Sequence, residues 1–196
     1  MDKLSLLQTA REETKAILQT FEQVFEPQTE GVLNQRPRPG KWSVLENIEH
    51  LNLACRIYYT EIEKKVDSRP NADAKQTAKS GPIGRLAINS IKPKPDGTIP
   101  RPMPTIPGFK PSKKLEAPAS QLSKEKVIQQ FKADQALLLE LLQQAESADI
   151  NRTRIVSSIG PIIQFRLGDA IRFLVGHNQR HMIQAKRALE RVRVDS

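Results

Sequence analysis

The chain has 196 residues, a formal net charge of +9 and a single cysteine, Cys55. One cysteine excludes an internal disulfide and a metal site built from thiolates, and it suits a reducing compartment, so we expect a cytoplasmic protein. No stretch of about 18 residues is apolar enough to cross a membrane, and the N-terminus lacks the features of a secretory signal. We therefore expect no membrane partner.

The positive charge is concentrated in one part of the chain. Residues 67–120 contain ten basic and four acidic residues, whereas the whole chain contains 31 basic and 22 acidic residues. A basic segment of this kind can contact phosphate, a membrane surface or an acidic partner, but more often it is only solvated. Because the sequence has neither the interleaved aromatic residues of single-strand binders nor a recognition motif, nucleic-acid binding is the least favoured function.

The first helix is predicted over residues 2–26, where apolar residues recur with a period near 3.6. The stretch EGVLNQRPRPGK that follows is expected to be a loop, since it is rich in glycine and proline. The second helix begins after Trp42 with the capping box SVLE, in which Ser43 and Glu46 each accept from the other's backbone amide. An apolar stripe then continues to Ile62.

Residues 67–120 hold ten of the fourteen prolines and are expected to be irregular. Proline fixes φ and removes a backbone donor, which excludes a long helix or a central strand. Only GPIGRLAINSI is predicted to form a short helix within this segment. Four apolar residues, Ile99, Met103, Ile106 and Phe109, are expected to hold the segment against the helices, where it would form part of a pocket rim.

The third and fourth helices are predicted over residues 123–145 and 166–192, with no regular element in ESADINRTRIVSSIGPIIQF between them. Four long helices, each with one apolar face, favour an all-α fold. We expect residues 1–196 to form a single four-helix bundle domain. The proline-rich residues 67–120 would then be a long crossover between the second and third helices.

Two of the three histidines lie on the apolar stripe of the fourth helix. His177 and His181 are four residues apart, which places them ~40° apart around the axis and ~6 Å along it, so both rings can reach one ion. Leaving a buried polar group without a partner costs about 1–3 kcal/mol. Each ring must therefore either bond to neighbouring groups or bind a metal, and the spacing favours these two alternatives about equally.

The third histidine, His50, lies on the flank of the stripe of the second helix. If the second and fourth helices are neighbours, three imidazoles converge. Three protein ligands with open positions are typical of a catalytic metal site, whereas structural zinc sites usually have four. Imidazole suits zinc, nickel, iron or copper. A zincin-type protease is excluded, because Asn178 stands where that motif has glutamate.

Several polar residues are candidates for supporting roles. Glu46, one turn before His50, is a candidate catalytic residue that would bond a ligand or a bound water, although its capping role is the simpler explanation. Asn178 and Gln184 would either orient a ligand ring or be surface amides.

Other polar residues have simpler expected roles. Asp134 lies in the apolar stripe of the third helix; it is a possible carboxylate near the site, but we expect it to face solvent. Cys55 is expected to be a buried thiol. Arg172, Arg180 and Arg187 are expected to form a solvated face rather than an anion-binding group.

The stretches PGKWSVLENIEHLN and GHNQRHMIQAKR resemble the DinB superfamily, the DinB/YfiT-like four-helix bundles. In that family one histidine on the second helix and an H-x-x-x-H pair on the fourth bind a divalent metal, and these positions match His50, His177 and His181. The resemblance implies a metal-dependent enzyme of the thiol S-transferase or hydrolase type, and a homodimer.

The cofactor would be zinc, nickel or iron, and the substrate a small molecule such as a low-molecular-weight thiol. The alternative is a non-catalytic, stress-associated metal-binding bundle that acts through a partner. An open coordination position beside a cavity would favour the enzyme over this alternative.

Overall fold

Helices form most of the chain. The structure is a computed structural model that describes residues 1–70, 73, 75–100, 104–112, 117–158 and 160–194. In chain order, its elements are α1 (Lys3–Val24), α2 (Glu30–Asn34), α3 (Val44–Lys65), α4 (Pro82–Ile91), α5 (Lys124–Gln144), β1 (Arg154–Ser157), β2 (Gly160–Arg166) and α6 (Leu167–Val194). Short 3-10 turns lie at Val66–Ser68, Pro107–Phe109 and Ala145–Ser147.

The four long helices α1, α3, α5 and α6 share one apolar core. Both α1 and α3 pack against α5 and against α6. Each helix contributes fully buried side chains to the core, such as Leu7, Ile48, Phe131 and Leu174. Burying a large apolar side chain is worth about 1.5–3 kcal/mol. This shared core is therefore what holds α3 and α6 side by side.

The long helices lie where the apolar periodicity predicted them. Their ends differ from the predicted ends by no more than two residues where both ends were predicted. Ser43 caps α3, and the reciprocal hydrogen bonds with Glu46 form the predicted capping box. The short helix predicted in the proline-rich segment is α4, which has Pro82 in its first turn, where a missing amide proton costs nothing.

Two stretches that were expected to lack regular structure are ordered elements. In the stretch after α1 that was predicted to be a loop, Thr29 caps the five-residue helix α2, which buries Leu33. Before α6, β1 and β2 form an antiparallel hairpin in which Ile155 pairs with Phe165, and both side chains are buried. The all-α prediction therefore missed the two short strands β1 and β2, while the mostly helical character of the chain agrees with it.

Helix α4 lies against α6, and two glycines allow the close approach. A Cβ at Gly84 would lie 2.4 Å from a carboxylate oxygen of Asp169. A Cβ at Gly176 would lie 3.1 Å from Cβ of Lys92, just beyond the end of α4. A larger residue at Gly84 would therefore have to displace the side chain of Asp169, and one at Gly176 would press against Lys92 next to His177.

The proline-rich segment contacts the helices through its described residues. The turn Pro107–Phe109 packs on α3, which agrees with the predicted role of Phe109 as an anchor. Met103, another predicted anchor, lies outside the described residues. Among the helices of the described chain, none has both the length and the apolar character needed to cross a membrane.

Candidate metal centre

The three histidines meet between α3 and α6. All three side chains are buried, and one ring nitrogen from each lies within 4.8 Å of the other two. The ring centroids of His50 and His181 are 4.6 Å apart, and those of His177 and His181 are 4.7 Å apart. The chain has only these three histidines. The second and fourth predicted helices, α3 and α6, are neighbours, and the three imidazoles converge as expected for that case.

Asn47 fixes the orientation of His181. The amide nitrogen of Asn47 donates to the carbonyl of Ser43 at 2.8 Å, and its oxygen lies 3.1 Å from Nδ1 of His181. Because an amide oxygen can only accept, Nδ1 of His181 carries the proton and Nε2 keeps its lone pair. The ring is therefore held in the tautomer that binds a metal through Nε2.

A backbone carbonyl likewise fixes the tautomer of His50. Nδ1 of His50 donates to the carbonyl oxygen of Phe109 at 2.8 Å, which leaves the lone pair on Nε2. Phe109 lies in the proline-rich segment, 59 residues further along the chain. This hydrogen bond ties that segment directly to the histidine cluster.

The inner nitrogens of His50 and His177 face each other. Their Nε2 atoms are 3.3 Å apart, and since His50 has its proton on Nδ1, only one proton can lie between them. Two nitrogen ligands of a tetrahedral ion with bonds of ~2.05 Å are also about 3.3 Å apart. On the outer side of His177, Sγ of Cys55 lies 4.0 Å from Nδ1.

Burial keeps the imidazoles neutral. The pKa of His177 and that of His181 lie well below the usual value, first because of burial and then because of the neighbouring rings and the positive charge of Arg180. Burial also lowers the pKa of His50, against the opposing effect of its bond to Phe109. Neutral imidazole is the form that binds metal ions. At neutral pH the three rings are thus ready to act as ligands.

A cavity of about 810 Å³ lies beside the histidines. The ring of Trp42 forms part of its wall, with its centroid 4.9 Å from that of His50 and 5.9 Å from that of His181. Other apolar lining residues come from α3, α4, α6 and the proline-rich segment: Ala54, Ile91, Phe173, Pro104, Ile106 and Phe109. The proline-rich segment therefore lines part of a pocket, as predicted. A cavity of this size holds a small molecule.

Comparison with known protein families identifies the chain. A family model described as the DinB superfamily matches residues 13–185, a range that includes Trp42, the capping box and the three histidines. The chain belongs to the DinB superfamily. The resemblance seen in the sequence is thereby confirmed, and this DinB protein has a buried three-histidine cluster that is compatible with metal binding. A search of curated proteins and a search of solved structures found no match.

Glu46 lies at the start of α3, and its contacts are structural. The guanidinium of Arg36 donates to its two oxygens at 2.6 and 2.9 Å, and the amide of Ser43 donates at 2.9 Å. Burial alone would raise the pKa of Glu46, but the hydrogen bonds from Arg36, Ser112 and Ser43 lower it below its usual value. These contacts favour the capping role over contact with a ligand. Arg36 was not recognised in the sequence, since nothing local marks a partner ten residues away.

The two amides considered as supporting residues differ in position. Asn178 is fully buried on the outer side of the cluster, where its nitrogen donates to Gln135 and its oxygen faces Cys55. Gln184 lines the cavity of this DinB protein, and its Oε1 is buried without a hydrogen-bond partner among the described residues. The supporting residue found instead is Asn47, one turn before His50 on the same helix.

Two charged residues that were expected to face solvent are buried. Asp134 is 6% exposed; Gln130 donates to it, and burial raises its pKa. Arg180 is 4% exposed, because α4 covers this side of α6, and its guanidinium donates to the carbonyl of Ser90 at 3.3 Å. The prediction of a solvated arginine face was therefore wrong for Arg180, which lines the cavity together with Arg187.

Proposed function

We propose that this DinB protein binds one divalent metal ion through Nε2 of His50, His177 and His181, and that it is a metal-dependent enzyme of the thiol S-transferase or hydrolase type. The observation that carries the proposal is the convergence of three neutral imidazoles beside a cavity. Zinc, nickel and iron suit an imidazole ligand set. We further propose that the four long helices are the bundle of the family, that residues 67–120 are its crossover, and that the protein is a homodimer.

The donor set fits a metal ion. Histidine ligands of metals almost always donate their second ring nitrogen to an acceptor, and His181 and His50 do so to Asn47 and to the Phe109 carbonyl. Three protein ligands leave coordination positions open, as in catalytic sites. When bound, a divalent ion would lower the pKa of a coordinated water or thiol and so supply a nucleophile at neutral pH.

The protein's own residues would orient the ligands and limit access of water. Asn47 and the Phe109 carbonyl hold the imidazoles in the Nε2-ligating tautomer. Trp42, Phe173 and the ring of Phe109 give the cavity aromatic walls, which lower the local dielectric constant and strengthen electrostatic interactions with a substrate. A cavity of about 810 Å³ beside the ligands supports catalysis over a purely structural metal site.

Metal analysis and thermal unfolding test the metal site. We expect the purified protein to hold about one divalent ion per chain, as three-histidine sites do. Zinc or nickel at about 100 times its Kd should stabilise the metal-free protein by about 2.7 kcal/mol. His181→Ala should abolish both effects. Gln179→Ala, on the same helix but outside this cavity, is the matched control and should bind the ion normally.

Two outcomes would decide against the proposal. Absence of bound metal, together with a melting temperature that zinc and nickel do not change, would remove the metal site. To separate the enzyme from the non-catalytic alternative, cobalt(II)-loaded protein can be titrated with a small thiol. A change in the cobalt absorption spectrum is expected if a coordination position is open. No change would favour the non-catalytic metal-binding protein.

A further inference from the structure

The cavity beside the histidines is strongly basic. Its lining includes five cationic side chains: Arg38, Lys41, Arg180, Arg187 and Arg191. None of the described residues that line it is an aspartate or a glutamate. A concave surface with charges of one sign concentrates ligands of the opposite sign. The cavity therefore favours anions.

The three arginines follow one line along α6. Arg187 and Arg191 lie seven and eleven residues after Arg180, which places all three within ~40° around the helix axis over a length of ~16 Å. Arg180 is adjacent to His181 in the chain, and it lines the cavity together with His177 and His181. The arginine row, as we call Arg180, Arg187 and Arg191, thus begins at the histidines and extends away from them.

The remaining two cations come from the turn that precedes α3. Gly40 has a φ of 75°, a conformation that favours glycine, and the amide of Lys41 donates to the carbonyl of Arg38 at 3.1 Å. This tight turn brings Arg38 and Lys41 close together at the cavity. Two separate elements therefore supply positive charge to the same space.

Charge balance at the histidines also calls for an anion. The three histidines would leave the charge of a divalent ion uncompensated, and Arg180, which lines the same cavity, adds a further positive charge beside them. Arginine is the side chain that best matches the geometry of carboxylates and phosphates, because its guanidinium can donate two parallel hydrogen bonds. An anionic group on the substrate would meet both requirements.

We propose that the substrate of this site is a small molecule with a carboxylate or phosphate group that binds to the arginine row while its reacting end lies at the histidines. The inference rests on the proposed function, because it takes the histidines as the reaction centre. Trp42 and Phe173 would contact the carbon skeleton of the substrate. The cavity of about 810 Å³ has room for a molecule of this kind.

Trp42 provides the readout, since it is the only tryptophan of the chain and lines the cavity. Zinc-loaded protein is titrated with succinate, methyl phosphate and the neutral analogue succinamide at constant ionic strength, by tryptophan fluorescence and by calorimetry. We expect saturable binding of at least one anion with a Kd on the order of 1 mM, and binding of succinamide at least about tenfold weaker. The stronger of the two anions identifies the substrate group as carboxylate or phosphate.

Variants of the arginine row locate the bound anion. Arg187→Gln with Arg191→Gln should weaken anion binding about tenfold or more, while both exposed side chains can be replaced without disturbing the core. Arg172→Gln is the control, because Arg172 is on the same helix but does not line the cavity. If the double variant binds both anions as tightly as the control does, the anion does not lie on the arginine row and the proposal is overturned.

Metal content measured in the same samples separates the two proposals. If the protein holds its ion but neither anion binds more tightly than succinamide, the anionic substrate is excluded and the metal site stands. If no metal is bound but anions still bind and the double variant loses them, the proposed metal chemistry fails and the anion site stands. Binding that His181→Ala abolishes, while the double variant retains it, would place the anion on the metal alone and overturn the proposal.

Discussion

Helix α3 carries two buried polar sites that differ in how completely their groups are paired. At its first turn, both oxygens of Glu46 accept hydrogen bonds from Arg36, and the guanidinium also donates to the carbonyl of Ala117. One turn further on, His50 pairs its outer nitrogen with the Phe109 carbonyl, but its inner nitrogen faces His177. At the first site Arg36 and Glu46 bond to each other. At the second site the inner nitrogens of the three histidines point toward one position.

The difference separates a structural site from a candidate metal site. A buried ion pair whose hydrogen bonds are complete holds the polypeptide in place and offers nothing to a ligand. In the histidine cluster the outer nitrogens of His50 and His181 bond to oxygen and the inner nitrogens of all three rings converge, which is the arrangement that a metal ion requires. The presence of a cavity at the second site and the absence of Arg36 and Glu46 from the described residues of its lining agree with this division.

The largest expected effect is on the stability contributed by the Arg36–Glu46 pair. Glu46→Gln leaves the buried guanidinium of Arg36 without its charge partner, so we expect a loss of about 3–5 kcal/mol in the free energy of unfolding. Urea denaturation measures this loss. The matched control is Glu63→Gln, an exposed glutamate on the same helix, which should change stability by less than about 0.5 kcal/mol.

The pH dependence of this difference checks its origin. Because the folded state lowers the pKa of Glu46, its contribution is complete above the ordinary value of 4.5 and is lost as the pH falls below that value. The stability gap between the wild type and Glu46→Gln should therefore be constant near neutral pH and shrink in acid. A gap that stays constant down to low pH would mean that packing, not the charge of Glu46, stabilises this site.

The next effect concerns the ligand site. Asn47→Ala removes the acceptor that holds His181 in its ligating tautomer, and we expect metal affinity to fall about 10–100-fold. Competition with a chelator of known affinity measures this change. Asn47→Asp is the matched variant: it also loses the donor to Ser43 but keeps an oxygen for His181. If both variants lose affinity equally, the helix cap rather than the histidine is responsible.

Sequence periodicity was sufficient for the features that depend on local structure. The long helices, the capping box and the shared face of His177 and His181 all follow from residues within one helix. The burial of Arg180 could not be inferred, because it depends on α4, which lies about 90 residues away in the chain and covers α6. The bond from His50 to the carbonyl of Phe109 could not be inferred either, since every residue has a backbone carbonyl.

The hairpin before α6 is a different kind of omission. Its strands contain several β-branched residues, Ile155, Val156, Ile162 and Ile163, on either side of a short turn, which is a recognisable strand pattern.

The predicted solvent exposure of Asp134 was wrong for a physical reason. Carboxylates are rarely buried without a charged partner, so solvent exposure was the better expectation until the packing of α3 on α5 was known.

The smallest expected effect tests the weakest outer contact of the ligand site. His50 and His181 donate to oxygen, but Nδ1 of His177 faces the Cys55 thiol at 4.0 Å. Metal binding at Nε2 of His177 requires the proton to be on Nδ1, where sulfur is only a weak acceptor. Burial raises the pKa of Cys55 to about 12, so the thiol stays protonated and cannot act as a stronger, anionic acceptor.

Cys55→Val removes this acceptor with little change in volume. We expect metal affinity to fall only a few-fold, about 0.5–1 kcal/mol, with a change in metal-free stability below about 1.5 kcal/mol. Cys55→Ser replaces sulfur with a better acceptor and should bind the ion at least as tightly as the wild type, as chelator competition can measure. Equal affinities in the wild type and both variants would mean that packing against Phe173 alone orients His177. The outer bonding of the cluster would then be limited to two of its three rings.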